Sequence, residues 1–320
     1  MLNIFYDPYL VEEIVFPEIR KREVGEGSQI YEEYHNLANK IYEMDIDDEE
    51  QGDKFIELNK DFFSRVGLNE VIRGVVEELP DLKEKIEEIH VRKASTPVDI
   101  GANLVDANRK LVVRVFPEQY LDIPSLKKVL RHEFLHTVDV LNEEFGYKDT
   151  KLADAPTEEN IIRERFRLFW DISVDSRLEK WGKESIQTKS ERFAEFETLY
   201  SKIPSEKRQT VFEGLWTDEY LTYSKMVALA KDPCKLLTTY GVLDMAGIAT
   251  ESKKILLPGH PCPLCKFPVY DWIDTSEIDE EVVNGIKEDF PDWQMDDGIC
   301  ERCVECYSVR AGIWMTPKKA

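Results

Sequence analysis

The segment "LRHEFLHTVD", residues 130–139, carries two of the chain's five histidines, four positions apart, with a glutamate directly after the first. An α-helix turns about 100° per residue, so the side chains of His132 and His136 lie roughly 40° apart on one stripe. Two imidazoles in that position can bind one metal ion, and Glu133 can hold a water molecule beside it. The segment therefore predicts a metal site that carries its own general base on one helix.

The flanking sequence predicts where this helix begins and ends and which face is buried. Asp122 and Pro124 are typical of a helix start, and Gly146 is typical of a helix end. Apolar side chains recur at helical spacing opposite the histidines, which predicts a face packed against the core. They are Leu126, Leu130, Phe134, Val138, Leu141 and Phe145. Just upstream, "LVVRVF" (residues 111–116) predicts a strand that ends at Pro117.

The pattern H-E-x-x-H formed by His132, Glu133 and His136, on a helix that follows a strand, resembles the zincin metallopeptidases. The resemblance implies that the two histidines bind zinc and that Glu133 is the base that activates a water molecule for attack on a peptide bond. It also implies that a strand ahead of the helix pairs with the substrate. The segment "LVVRVF" is the candidate, and an internal strand without that role is the alternative. Arg131 departs from the family, which usually has an uncharged residue there.

The third ligand of a zincin site is not adjacent to the motif in this chain. In the longer metzincin pattern a glycine and a third histidine follow, but Asp139 and Asn142 occupy those positions. A gluzincin-like site instead takes an acidic ligand from a later helix, which the sequence predicts from about Thr157 to Gly182. That helix has the segment "WDISVDS", in which Asp171 and Asp175 lie one turn apart.

Asp171 and Asp175 are both candidates for the third ligand. Their helix is apolar almost all round, and two buried carboxylates are costly unless a cation compensates them. By the gluzincin resemblance Asp171 would bind the metal and Asp175 would orient a histidine, whereas a similarity to N-I-A-x-D segments of other H-E-x-x-H proteins favours Asp175. The alternatives are that arginines pair with both aspartates or that both face solvent, and Asp139 is a weaker candidate ligand. The arginines in question are Arg163, Arg167 and Arg177.

Five of the six cysteines lie in the last sixty residues, in a pattern that predicts a second metal site. Cys262 and Cys265 form one C-x-x-C pair, and Cys300, Cys303 and Cys306 follow after an intervening segment of 34 residues. Two such pairs present four thiolates to a structural zinc ion, and the pattern resembles zinc ribbons. The simplest ligand set is Cys262, Cys265, Cys300 and Cys303, for which Cys306 or His260 could substitute. An iron–sulfur cluster is the rival interpretation.

The charge and the absence of certain segments narrow the class of protein. With 42 Lys+Arg against 64 Asp+Glu, the net charge is −22, which disfavours binding of nucleic acid over a broad surface. The first residues have no cationic start followed by an apolar run, so no signal peptide is expected. No run approaches the roughly 20 apolar residues of a membrane span. Together with cysteines spaced as metal ligands, these features predict a cytoplasmic protein.

The predicted fold is α+β, with a zincin-like core and a zinc-ribbon module. Residues 1–87 form a mostly helical region, 88–185 the metal-binding core with a small sheet and two site helices, 186–257 a further helical region, and 258–320 the ribbon-like module.

The expected function is that of a zinc-dependent metallopeptidase, a hydrolase with one catalytic and one structural zinc ion. Its substrate would be a peptide or protein, and a protein partner could bind the ribbon. The alternatives are a non-peptidase zinc hydrolase and a catalytically idle zinc-binding scaffold. The oxyanion-stabilising residue that the family resemblance implies is open among Tyr220, Tyr223 and His260.

Overall fold

The structure, a computed structural model, describes residues 2–23, 28–105, 109–154, 156–201, 203–219, 221–242, 256, 260–270 and 272–312. The protein is mixed α and β, mostly helical with a small four-stranded sheet, which confirms the predicted class at that level. The chain divides into two compact units. The first comprises Met1–Phe145 and Arg177–Ile186, and the second Gly146–Ser176 and Gln187–Ala320. The four regions set out above stay a prediction.

Helices make up most of the N-terminal half of the first unit. They are α1 (Pro8–Arg20), α2 (Ser28–Tyr42), α3 (Asp48–Arg65), α4 (Glu70–Glu77) and α5 (Pro80–Lys85). Aspartates fix two of the helix starts, because the Asp7 carboxylate accepts from the backbone N–H groups of Tyr9 and Leu10 and the Asp47 carboxylate accepts from that of Glu50. Helices α1, α2 and α3 pack against one another.

The sheet contains β1 (Asn3–Tyr6), β2 (Glu88–Lys93), β3 (Gly101–Val105) and β4 (Lys110–Val115) in the order β1-β2-β4-β3. Strands β1, β2 and β4 run parallel, and β3 is antiparallel to β4 at the edge. The strand predicted at "LVVRVF" is therefore present as β4, but it lies inside the sheet. Of the two alternatives left open for it, the internal strand is the one observed, and its almost continuous run of buried residues is typical of such a strand.

The helix with the H-E-x-x-H motif is α6 (Ile123–Leu141). Asp122 caps its start by accepting from the Ser125 N–H at 3.2 Å, as the sequence predicted. It ends at Leu141, earlier than Gly146, because Asn142 takes an extended conformation. Helix α6 packs against α4, α5 and β3. This packing brings the edge strand to the motif.

The second unit is helical up to its C-terminal part. Its helices are α7 (Pro156–Lys180, of which the last turn belongs to the first unit), α8 (Lys189–Leu199), α9 (Ser205–Thr217), α10 (Tyr223–Lys231) and α11 (Pro233–Thr239). Aromatic rings fill its core: the ring of Tyr200 stacks on those of Phe169 and Phe196, with centroids 6.1 and 4.6 Å away. Thr188 starts α8 through a reciprocal pair of hydrogen bonds with Glu191.

The C-terminal module contains β5 (His260–Pro261), β6 (Pro268–Val269), α12 (Glu280–Asp289) and α13 (Glu301–Arg310). Its core includes two tryptophans, Trp272 and Trp293, which are both buried. The other apolar members are Leu264, Val269, Val282, Val283, Ile286, Ile299 and Val304. No helix in the described ranges has both the length and the hydropathy of a membrane span.

Candidate metal centres

His132 and His136 face each other on α6 as the sequence predicts. Their Nε2 atoms are 3.0 Å apart, and His132 is only 4% exposed. Two nitrogens bound to one tetrahedral zinc ion at about 2.0–2.1 Å lie roughly 3.3 Å from each other. The observed distance is close to that value. The pair is therefore spaced for a single ion.

The structure groups Asp171 with the two histidines. One ring nitrogen of His132, one of His136 and one carboxylate oxygen of Asp171 all lie within 4.8 Å of one another. Two imidazoles and one carboxylate are a donor set used by zinc and other transition metals. This group could bind a metal ion.

Asp175, the other candidate, is engaged elsewhere. It is fully buried, and its Oδ2 accepts from Nε of Arg192 at 2.6 Å. Nη1 of the same arginine lies 3.5 Å from Oδ2 of Asp171, a much longer contact. The arginine that pairs with the aspartates thus comes from α8. Arg192 was not among the three arginines that the sequence suggested.

Those three arginines lie elsewhere. Arg177 donates two hydrogen bonds to Asp139, at 2.8 and 2.6 Å, Arg163 pairs with Glu159, and Arg167 is exposed. The bidentate ion pair explains how Asp139 is buried, and it places this carboxylate outside the group of candidate ligands.

The carboxylate of Glu133 lies against the first residue of β3. Gly101 has a φ of +145°, and a methyl group added there would lie 2.9 Å from Oε2 of Glu133. A side chain at position 101 would therefore have to displace the carboxylate. Because position 101 is a glycine, the backbone of the edge strand can lie close to the candidate base.

Arg131, the departure from the zincin pattern, forms an ion pair on another face of α6. Its guanidinium donates to both carboxylate oxygens of Glu78, at 2.9 and 3.0 Å, and Lys183 approaches the same carboxylate at 2.9 Å. The hydrogen bonds from Arg131 outweigh burial and, helped by Lys183, lower the pKa of Glu78 to about 2. The charge of Arg131 is thus neutralised by a partner on the first unit's own surface.

Four of the C-terminal cysteines converge in the module. The Sγ atoms of Cys262 and Cys303 are 3.9 Å apart, and those of Cys265 and Cys300 are 3.7 Å apart. Four sulfurs bound to one tetrahedral ion at about 2.3 Å lie roughly 3.8 Å from one another. The four thiols are free of disulfides and could bind one metal ion.

The geometry also separates the fifth cysteine from this group. Cys306 is exposed on α13 and is not among the four whose sulfurs converge. The first pair lies in a tight turn, in which Lys266 has a φ of +62° and its N–H donates to the Cys262 carbonyl. Burial would raise the pKa of the Cys262 thiol, but backbone hydrogen bonds from Cys265, Cys300 and Leu264 lower it on balance. At Cys300 and Cys303 burial prevails and raises the pKa of the thiol, so hydrogen bonding favours the thiolate at Cys262 but not at these two.

Reasoning from sequence missed two residues of the first centre. Arg192 carries no local signal, and Gly101 is distinguished only by its backbone conformation. Of the residues considered for oxyanion stabilisation, Tyr223 is buried against Tyr147 and Phe166. Tyr220 and the side chain of His260 lie outside the described residues.

Comparison of the chain with protein-family models, with curated proteins and with solved structures gave no match.

Proposed function

We propose that the protein is a zinc-dependent metallopeptidase whose centre is formed by His132, His136 and Asp171, with Glu133 as general base. One observation carries the proposal: the Nε2 atoms of the two histidines are 3.0 Å apart on the helix whose Glu133 borders the backbone of an edge strand. Metal ligands, a carboxylate base and a strand edge together are what hydrolysis of an extended peptide requires.

The donor set fits a catalytic zinc ion better than a structural one. Three protein ligands leave a position for a water molecule or substrate, whereas structural zinc sites have four. When bound there, a zinc ion would polarise the scissile carbonyl and lower the pKa of water. His132 and His136 would hold it from α6, and Asp171 from α7.

Glu133 would move the protons of the reaction. Its carboxylate would accept a proton from the attacking water molecule, and the resulting carboxylic acid would donate that proton to the leaving amine. Its side chain lies against Gly101, which has no Cβ that would displace the carboxylate.

Strand β3 would align the substrate. Of the described strands it pairs with β4 alone, and an extended peptide would add at its other edge. Main-chain hydrogen bonds along such an edge give affinity with little sequence selectivity. Residues 101–105 therefore replace "LVVRVF" in this role.

The four-cysteine site would hold a structural zinc ion. Its sulfur spacing suits one ion, whereas thiolates bound to separate irons of a cluster stand farther apart. The ion would fix the turn at Cys262 to the start of α13 and add to the stability of the module. A protein partner of the module stays an expectation from the sequence.

The test compares the wild type with Glu133→Gln on a peptide library, with metal content measured on the same samples. We expect turnover to fall about 10²- to 10⁴-fold while metal content is unchanged. Glu143→Gln, an exposed glutamate just after α6, is the matched control and should keep full turnover.

The other outcomes separate the alternatives. Equal turnover in wild type and Glu133→Gln would remove Glu133 as the base. Hydrolysis of esters or amides other than peptides, lost in Glu133→Gln, would favour a non-peptidase hydrolase. Full metal content without any turnover would favour the scaffold.

A further inference from the structure

Arg192 is a buried arginine in the first turn of α8, and three carboxylates surround its guanidinium. Its side chain is 5% exposed. Nε donates to Asp175 at 2.6 Å, and Nη1 donates to Glu195 at 2.7 Å and lies 3.5 Å from Asp171. Glu195 is half exposed, so solvent screens its charge. The two buried aspartates thus share one guanidinium.

The arginine makes the paired aspartates possible. Asp171 and Asp175 are one turn apart on α7, where two like charges repel each other, and burial adds a desolvation cost. One cation between them leaves a net charge of −1 among the three buried groups. That remainder suits a metal cation.

The shape of the guanidinium matters as well as its charge. Arginine presents its N–H groups in a rigid plane, so a single side chain can fix two carboxylates at once. Both contacts of Arg192 are to the Oδ2 atoms of the aspartates. The contact with Asp175 is the shorter of the two, and the contact with Asp171 is the longer. The guanidinium thus lies beside the carboxylate that is grouped with the histidines.

Local structure holds Arg192 in place. The backbone N–H of Arg192 donates to the Thr188 carbonyl at 3.0 Å, in the first hydrogen-bonded turn of α8. The Thr188 side chain caps that turn together with Glu191. The arginine therefore extends from a well-defined helix start.

We propose that Arg192 is a positioning residue of the metal centre: it holds Asp175, orients Asp171 as the third ligand and limits the negative charge beside the ion. The inference rests on the proposed function, because it requires a metal at His132, His136 and Asp171. It acts through Asp171 and touches neither metal nor substrate.

The test is a titration of the metal-free full-length protein with Co²⁺, which reports both affinity and ligand geometry through its visible absorption. Subtracting the spectrum of His132→Ala isolates the histidine centre from the cysteine site. For Arg192→Met we expect binding about 10- to 100-fold weaker and a shifted absorption band, since loss of outer partners of metal ligands has effects of that size. Arg192→Lys keeps the charge without the planar fork and should be intermediate.

Two further variants make the result decisive. Arg208→Met removes another largely buried arginine of the same unit, one that pairs with Glu197, and should bind Co²⁺ as the wild type does. Arg192→Met combined with Asp175→Asn removes the arginine together with the buried charge it neutralises, so this pair can fold where the single variant does not. Its Co²⁺ affinity should still be reduced.

Failure of the inference and failure of the proposed function look different. A wild type whose Co²⁺ spectrum equals that of His132→Ala has no metal at the histidine centre, which overturns both. A wild type that binds Co²⁺, with affinity and spectrum unchanged in Arg192→Met or in the double variant, overturns the positioning role alone.

Discussion

At the scale of single residues, the close approach of Gly101 to Glu133 gives the clearest constraint on the proposed chemistry. The glycine combines a φ that other residues rarely adopt with a position that leaves no room for a Cβ beside Oε2. The positive φ and the missing Cβ together let the strand edge and the carboxylate lie in contact. A base that must reach a water molecule tolerates little displacement.

We therefore expect Gly101→Ala to lower peptidase turnover by up to about 10²-fold, since a misplacement of about 1 Å can have an effect of that size. Metal content should be unchanged, because the histidines lie elsewhere on α6. Gly74→Ala, at a position with open space around it, is the control and should keep its turnover. Wild-type turnover in Gly101→Ala would show that the contact with Glu133 is not needed.

The ion pair of Arg131 with Glu78 predicts how stability responds to acid. The pKa of Glu78 is lowered from its ordinary 4.5 to about 2, so the folded state binds its proton less readily than the unfolded state. The resulting stabilisation is fully present above about pH 4.5 and is lost as the pH falls towards 2. Glu78→Gln should reduce the free energy of unfolding at pH 7 by about 1–3 kcal/mol.

Urea unfolding at pH 7 and at pH 3 measures this effect. Glu78→Gln should lose much more stability than Glu84→Gln at pH 7, and the difference between the two variants should shrink at pH 3. Glu84 is an exposed glutamate of the same unit, which makes it a suitable control. A difference that is the same at both pH values would mean that the Glu78 carboxylate is not the titrating group.

At the scale of helices and strands, the sequence predicted those elements whose position follows from local spacing of apolar and capping residues. The start of α6, the span of α7 and the strand β4 all follow from capping residues and apolar spacing. It missed β1, four residues long, because its pairing with β2 joins segments some eighty residues apart. It also left open whether β4 is an edge strand or an internal one, since strand order depends on long-range pairing.

The cysteine turns give a prediction at the same scale. Cys300 is the residue before α13, and its sulfur is one of the four that converge, so Cys300→Ser should remove one metal ion and loosen the module. Trp272 and Trp293 lie in that module's core, so their fluorescence should shift to longer wavelength. Cys306→Ser, an exposed cysteine outside the group, should change neither quantity.

One result would contradict this prediction, and it concerns the core around the two tryptophans. If Cys300→Ser loses its metal but keeps the wild-type fluorescence, apolar packing alone holds the module. The ion would then have a role other than stabilisation.

At the scale of the whole molecule, the two metal groups differ in how far sequence could predict them. The cysteine site is built from two short C-x-x-C segments, and its ligand set could be inferred from spacing. The proposed histidine centre takes its carboxylate from a distant helix, and the structure groups Asp171 with the two histidines. Spacing on α7 treats Asp171 and Asp175 alike, so only tertiary structure distinguishes them.

Two independent groups predict two metal ions per chain, which elemental analysis of the purified protein measures directly. His132→Ala and Cys300→Ser should each lose one ion, and the double variant both, because the two ligand sets share no residue. Only His132→Ala should lose peptidase turnover outright, since the cysteine site supplies no reacting group. Zinc in both sites is expected, and iron bound in proportion to the four cysteines would instead support the rival assignment. A wild type with a single ion that Cys300→Ser removes would leave the histidines without a metal and contradict the proposed hydrolysis.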